Sequence, residues 1–372
     1  MPRIAMRSRI ASLLEAAGVA IDGAAPHDIR IHDDRFYPRV LAGGSLALGE
    51  SYLDGWWDCD HLDEFFTRIL RAGLDARVRA RAWWVHDVKA RLRNRQTRAR
   101  ASRSARHHYD LGNDLYRCML DRRMIYSCGY WERARTLDEA QEAKLDLVCR
   151  KLRLEPGMRV LDIGCGWGGT ARWLAERHGV AVVGVTVSPP QVDLARETCR
   201  DLPVEIRLQD YRDLDEPFDR IVSLGMFEHV GYRNYRTFMQ VVRRCLKDDG
   251  LFLLHTIGCN TRGLRGDAWI DRYIFPDSML PSARQLAGAS EGSLVLEDWH
   301  GFGQDYDPTL MQWHRNVVAH RDELRPRYDE RFFRMWSYYL LSCAASFRAR
   351  RNQVWQLVFS PRGVAGGYRS VR

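Results

Sequence analysis

The most constraining stretch of the chain is Met158-Arg-Val-Leu-Asp-Ile163 followed by Gly164-Cys-Gly-Trp-Gly-Gly169. An apolar run enters a glycine-rich turn, and a helical pattern, Thr170 to His178, leaves it. A second strand is expected over Ala181 to Val187, a helix from Pro189 to about Cys199, and a third strand over Val204 to Leu208. Phe218 to Leu224 and Leu251 to Ile257 read as a fourth and fifth strand, with a helix between them over Tyr235 to Leu246. Strands alternating with helices give a mostly parallel, doubly wound α/β sheet covered on both faces. Ligands of such sheets bind at the carboxyl ends of the strands.

Gly164, Gly166 and Gly169 fit GxGxxG, a pattern that dinucleotide enzymes share. A nicotinamide enzyme places an acidic residue about 20 positions on, for the ribose. Here the second strand ends Thr186-Val187-Ser188-Pro-Pro, with no acid. The longer string Val160-Leu161-Asp162-Ile-Gly164-Cys165-Gly166-Trp167-Gly168 resembles the first motif of class I S-adenosylmethionine methyltransferases. Glycine lets the backbone approach a bound molecule closely, and this cofactor has no phosphate to cradle.

The 372 residues are 45% hydrophobic and 28% charged, which excludes a disordered chain and leaves room for about two domains. The longest apolar stretch, near Val180 to Val187, is far short of the roughly 20 residues of a membrane span. The start lacks the apolar core of a secretory signal, so a cytoplasmic protein is expected. Nine cysteines with no CxxC spacing read as reduced thiols, with no metal site expected.

The formal charge of +9 is local. Residues 77–106 hold eleven Lys/Arg against Asp87. Trp83, Trp84, Val85, Val88 and Leu92 interrupt the basic run at spacings that can share a helix face. Such a segment is a solvated linker, a contact for an anionic membrane surface, or a contact for nucleic acid. It divides the chain into a small amino-terminal domain (1–76), a basic Trp-containing linker (77–106) and a catalytic domain (107–372). In the first of these, Ile29 and Ile31 suggest a short strand, and Leu62, Phe65, Phe66, Ile69 and Leu70 have helical spacing.

Further motifs occur in order along the chain: His108-Tyr-Asp-Leu-Gly-Asn-Asp114, Tyr126-Ser-Cys-Gly-Tyr-Trp131, Leu208-Gln-Asp-Tyr-Arg-Asp213, Gly225-Met-Phe-Glu-His-Val-Gly231, Leu254-His-Thr-Ile-Gly258 and Asp305-Tyr-Asp307. With Gly49-Glu-Ser-Tyr-Leu-Asp-Gly-Trp-Trp-Asp58, they resemble the cyclopropane-fatty-acyl-phospholipid synthases over nearly the whole chain. The resemblance implies a seven-stranded methyltransferase sheet with a helical cap forming a lipid tunnel. It implies addition of a methylene from S-adenosylmethionine across a cis double bond of a phospholipid acyl chain, through a carbocation deprotonated by bound bicarbonate. The anion would be caged by Cys128, Glu228, His255, Tyr306 and the backbone of Ile257, with Cys343 at a position often assigned to the active site. No basic residue near Cys343 in the sequence would activate its thiol. The cofactor positions implied are Tyr126, Ser127, Val160, Leu161, Asp162, Gly164, Cys165, Gly166, Trp167, Gly168, Thr186, Val187, Ser188, Gln191, Asp210, Tyr211 and Arg212. Asp210 would take the adenine amino group and Gln191 the ribose. The resemblance further implies a homodimer, peripheral at the inner face of a membrane, acting on lipid and not on nucleic acid. A chain-methylating or methylenating enzyme of the same fold, and a nucleic-acid methyltransferase using the basic stretch, are the competing readings.

Overall fold

The computed structural model describes residues 3–77, 112–261 and 266–372. The basic segment 77–106 lies almost wholly outside the described residues, and so do its Trp83 and Trp84 and the motif residues His108 to Leu111.

A two-residue pair, β1 (Arg30–Ile31) and β2 (Trp57–Asp58), belongs to the amino-terminal region. The main sheet holds β3 (Arg159–Ile163), β4 (Ala181–Thr186), β5 (Val204–Leu208), β6 (Phe218–Leu224), β7 (Leu246–Cys259), β8 (Val295–Gly301) and β9 (Asn352–Ser360). Its order is β5-β4-β3-β6-β7-β9-β8. The pairs from β5 through β7 are parallel, and β9 runs antiparallel between β7 and β8. The chain winds from β3 outward to β5, then returns to the other side of β3 at β6. That reversal makes the carboxyl end of β3 the switch point where a ligand cleft opens.

The five parallel strands lie where the apolar runs predict, as do the helices Gly169–His178, Pro189–Cys199 and Tyr235–Cys245. β3, β4 and β6 are buried almost throughout, as strands covered on both faces must be. β8 and β9 complete the seven strands that the resemblance implies.

In the amino-terminal region, the helix Leu62–Arg71 forms as its spacing predicts, and Ile31 lies in β1. The helix Phe36–Leu53 bends at Gly44, whose φ of 59° breaks the helical path. The apolar core of this region does not close on itself. Tyr52, Phe66 and Trp269 all pack on Tyr338 of the long helix Glu330–Arg348, with ring centroids 5.6, 5.1 and 4.4 Å away. Gly49 permits this: a Cβ there would lie 2.3 Å from the Trp269 ring. Arg348 fastens the same junction, reaching Asp63 at 2.7 Å and forking onto Asp307 at 2.8 and 2.9 Å. The motif at residues 49–58 therefore serves docking onto the cap.

Candidate active site

A cleft opens at the end of β3. Its wall includes Asp162, Gly164, Cys165, Gly166 and Trp167 from the glycine turn, Thr186, Val187 and Gln191 beyond β4, and Asp210, Tyr211 and Arg212 beyond β5. Tyr126 and Ser127 close it from the segment before the sheet, and Phe275 and Pro276 from the cap. Val160, Leu161, Gly168 and Ser188 do not line it. The first two are buried inside β3, and Gly168 faces the helix Pro189–Cys199, where a Cβ would lie 3.1 Å from Ala195 Cβ. They shape the cleft from behind.

Two glycines have distinct duties. Gly164 has φ of 86°, and a Cβ there would fall 2.6 Å from Met226 Cβ, so both backbone and neighbour demand glycine. Gly166, at φ of 55°, has only open space where its Cβ would be, which leaves backbone exposed to a ligand.

The polar groups of the cleft define what it can hold. Asp162 is buried, its Oδ2 has no partner, and burial pushes its pKa up to about 7. Thr186 Oγ1 donates to Gln191 Oε1 at 2.9 Å, which leaves the amide NH₂ as the donor of Gln191. Asp210 receives Arg212 in a fork, Nε at 2.8 Å and Nη2 at 2.6 Å, so its carboxylate is already engaged on the wall where an amino group was expected. Arg212 is the only Lys or Arg among the described lining residues. Two carboxylates and one already paired arginine suit a cationic or neutral ligand and oppose a pyrophosphate. S-adenosylmethionine, with its sulfonium and ammonium, fits that donor set; a dinucleotide does not.

Tyr126 joins this cleft to a cluster of buried aromatic rings. Its ring meets Trp313 at 5.1 Å and Tyr116 at 5.3 Å, and its hydroxyl pairs with that of Tyr339 at 2.8 Å. Tyr306 lies beyond, against Trp313 and Phe347 at 5.8 and 4.7 Å. Tyr126, Cys128, Glu228 and Cys343 all lie close enough to couple electrostatically to Tyr306, which gathers three separated stretches of sequence around one phenol.

Glu228 sits in the short turn Phe227–His229 after β6. It is buried, and burial raises its pKa to about 7. Its Oε1 accepts the Ile257 backbone N–H at 2.6 Å, while Oε2 has no partner. This bond ties Glu228 to the Ile257 backbone, two of the groups that the resemblance puts in the anion cage. Cys128 donates to its neighbour's carbonyl, Gly129 O, at 3.2 Å, and burial pushes its thiol well above the usual range. Burial also lifts the Cys343 thiol to about 12, which favours its protonated form. His255 is buried, and desolvation, aided by Lys144 and Lys151, holds its pKa well below the usual value.

Four functional-looking residues were not anticipated. Lys144 and Lys151 rise from the helix Leu137–Leu152 into the interior, and Gln141 and Gln356 receive them. Lys144 Nζ donates to Ser127 Oγ at 2.9 Å and Gln141 Oε1 at 2.7 Å; Gln141 Nε2 in turn holds Ser127 O at 2.8 Å. Lysines at positions 144 and 151 of a charged helix read as surface side chains. Their spacing of seven, which puts both on one helix face with Val148 between them, was the available signal.

With this geometry in view, the comparison with known proteins is decisive. The family model for mycolic acid cyclopropane synthetase matches residues 96–357. The chain belongs to this family. It is 55% identical over 372 residues to the cyclopropane-fatty-acyl-phospholipid synthase of Escherichia coli (strain K12), an alignment covering 98% of this chain and 96% of that protein. Cyclopropane mycolic acid synthase 2 of Mycobacterium leprae (strain TN) is 38% identical over 278 residues, 67% of this chain and 90% of its own. The solved cyclopropane synthase MmaA2 from Mycobacterium tuberculosis superposes with a TM-score of 0.65 at 34% identity, over 69% of this chain and 97% of that one. Mycolic acid cyclopropane synthase CmaA1, solved in complex with SAH and CTAB, gives the same figures. The family's seven-stranded class I methyltransferase sheet is therefore the sheet described above.

Proposed function

We propose that the protein is a cyclopropane-fatty-acyl-phospholipid synthase that uses S-adenosylmethionine and adds a methylene across the cis double bond of an unsaturated phospholipid acyl chain. The observation that carries this reading is the unpartnered, buried Glu228 Oε2, whose chain neighbours Met226 and His229 line the methyl-donor cleft. The full-length likeness to the Escherichia coli enzyme supports phospholipid as the substrate class.

The donor supplies an electrophilic methyl on a positively charged sulfur. The chain's own residues do the rest. An alkene is a weak nucleophile, so the walls must hold it in near-attack geometry. Methyl transfer leaves a carbocation on the acyl chain, which water would capture as an alcohol. Tyr126, Trp313, Tyr306 and Phe347 offer ring faces that stabilise positive charge without bonding to it. Burial keeps Tyr306, Cys128 and Cys343 protonated, so no phenolate or thiolate is present to trap the cation. Ring closure requires loss of a proton from the transferred methyl.

We infer that Glu228, His255, Tyr306 and Cys128 would hold a bicarbonate ion. Bound there, bicarbonate would supply a small base for that proton without bonding to carbon. Support comes from the donors that surround this position and from Glu228 Oε2, which is free to take up the released proton. The homodimer, and an anionic membrane surface at the cytoplasmic face contacted by residues 77–106, belong to the same reading. Among the described residues no helix is long and apolar enough to cross a membrane.

The test uses purified full-length protein, S-adenosylmethionine, and vesicles of unsaturated phosphatidylglycerol and phosphatidylethanolamine. Proton NMR of the recovered acyl chains is expected to show upfield ring protons replacing the vinyl signals. Terminal alkene protons would mean methylenation, a saturated branched methyl would mean chain methylation, and either would overturn the ring-closing assignment.

A further inference from the structure

His255, Gln356 and His300 form one row across the sheet. They are Cα partners in register on β7, β9 and β8: His255 faces Gln356, and Gln356 faces His300. Lys151 comes up beneath the row from the helix Leu137–Leu152. Its Nζ lies 2.8 Å from Gln356 Oε1 and 3.0 Å from His300 Nδ1. Gln356 Nε2 lies 3.4 Å from His255 Nδ1. Gln356 is wholly buried and His255 is 1% exposed, so neither amide nor ring can turn to water for another partner.

The donor and acceptor inventory fixes the direction of this chain. A protonated lysine can only donate, so the Gln356 atom beside it is the oxygen. A neutral amine still carries two N–H bonds, enough to serve the Gln356 oxygen and the His300 ring, so the same direction remains available to it. The Gln356 NH₂ then points at His255, and Nδ1 of a neutral ring must accept. The single ring proton is left on Nε2. Burial and the nearby charges of Lys144 and Lys151 hold the imidazole neutral, which makes the choice of tautomer a real one.

We propose that Lys151 and Gln356 are positioning residues that lock His255 as the Nε2–H tautomer and so present a fixed N–H donor toward the anion site. The inference rests on the function proposed above only in naming bicarbonate as the anion; the tautomer itself does not depend on it. Orienting partners of this kind commonly govern ring tautomer and function from one bond away.

The test is ¹⁵N NMR of histidine-labelled full-length protein, with the His255 signal assigned by its loss in His255→Asn. The wild type is expected to show pyridine-like Nδ1 and pyrrole-like Nε2. Gln356→Glu, similar in size, still accepts from Lys151 but offers His255 an acceptor, so the ring proton is expected to move to Nδ1. In the same variant, half-saturation for sodium bicarbonate in the cyclopropanation assay should rise about 10- to 100-fold, with KM for S-adenosylmethionine little changed. Lys151→Met, which frees the amide to turn, is expected to give mixed tautomers. A wild-type ring protonated on Nδ1, or a Gln356→Glu ring that keeps its Nε2 proton, would overturn the proposal, and the wild-type spectrum decides even if a variant does not fold. A tautomer that shifts as expected in a protein indifferent to bicarbonate would support the positioning role and remove the bicarbonate assignment instead.

Discussion

Glu228→Gln is expected to lower kcat/KM by about 10²- to 10³-fold while leaving the affinity for S-adenosylmethionine within about threefold, as for loss of a positioned acid–base group. The substitution is almost isosteric. The amide oxygen still accepts the Ile257 N–H that Glu228 Oε1 accepts at 2.6 Å. What disappears is Oε2, the buried oxygen with no partner, which an NH₂ group cannot replace as a proton acceptor. The pH dependence separates this from simple misfolding. Burial places the wild-type carboxyl at about 7, so activity that needs its ionised form should rise through that pH and then level off. The variant should lack that limb. Stability gives an independent check with a definite sign. A carboxyl whose folded pKa exceeds its ordinary value of 4.5 binds more protons in the folded state than in the unfolded one between about 4.5 and 7. Its contribution is therefore complete below 4.5 and is lost as pH rises through 7. Glu228→Gln should remove that loss and make the protein relatively more stable at neutral pH, even as activity collapses.

Lys144→Met should produce the largest loss of stability, about 3 kcal/mol, because two buried acceptors lose a charged donor at once. Those acceptors are Ser127 Oγ and Gln141 Oε1. Gln141 clamps Ser127 O, so loosening it should also disturb Tyr126 and Ser127, which line the donor cleft. Binding of S-adenosylmethionine, followed calorimetrically, should weaken alongside the denaturation midpoint. Burial lowers the Lys144 pKa from 10.5 to about 8. Between those values the unfolded state holds the extra proton, so wild-type stability should gain on the variant as pH rises across that window. Equal slopes for both proteins would mean that the ammonium is not as desolvated as its surroundings require.

Sequence patterning carried the parallel half of the sheet because its strands are short, apolar and bounded by turns. β3 to β6 have that form, and their ends fall close to the predicted positions. β9 does not. It carries Gln353 and Gln356 buried within the strand, and their partners, Arg350 O for the first and Lys151 and His255 for the second, come from a loop, a helix and the neighbouring strand that the local pattern does not announce. The cleft residues from Asp162 to Trp167 were legible because a glycine turn after a strand has few other uses. Cys128, Glu228, His255, Ile257, Tyr306 and Cys343 came from resemblance alone. Individually they are two thiols, a carboxylate, a ring, a backbone group and a phenol at ordinary spacings. The buried lysines escaped because a charge is expected in water, and nothing local announces the partners that offset its burial. The amino-terminal boundary was drawn at a change of composition, whereas the packing of Tyr52, Phe66 and Trp269 on Tyr338 carries one apolar core across it.

The central claim is that the transferred methyl gives up a proton inside a closed chamber as the ring forms. Supplying S-adenosylmethionine with a CD₃ group and weighing the acyl product tests it most directly. The account predicts a product carrying CD₂, with one deuteron lost from every transferred group. An acyl chain that retains CD₃ would contradict it.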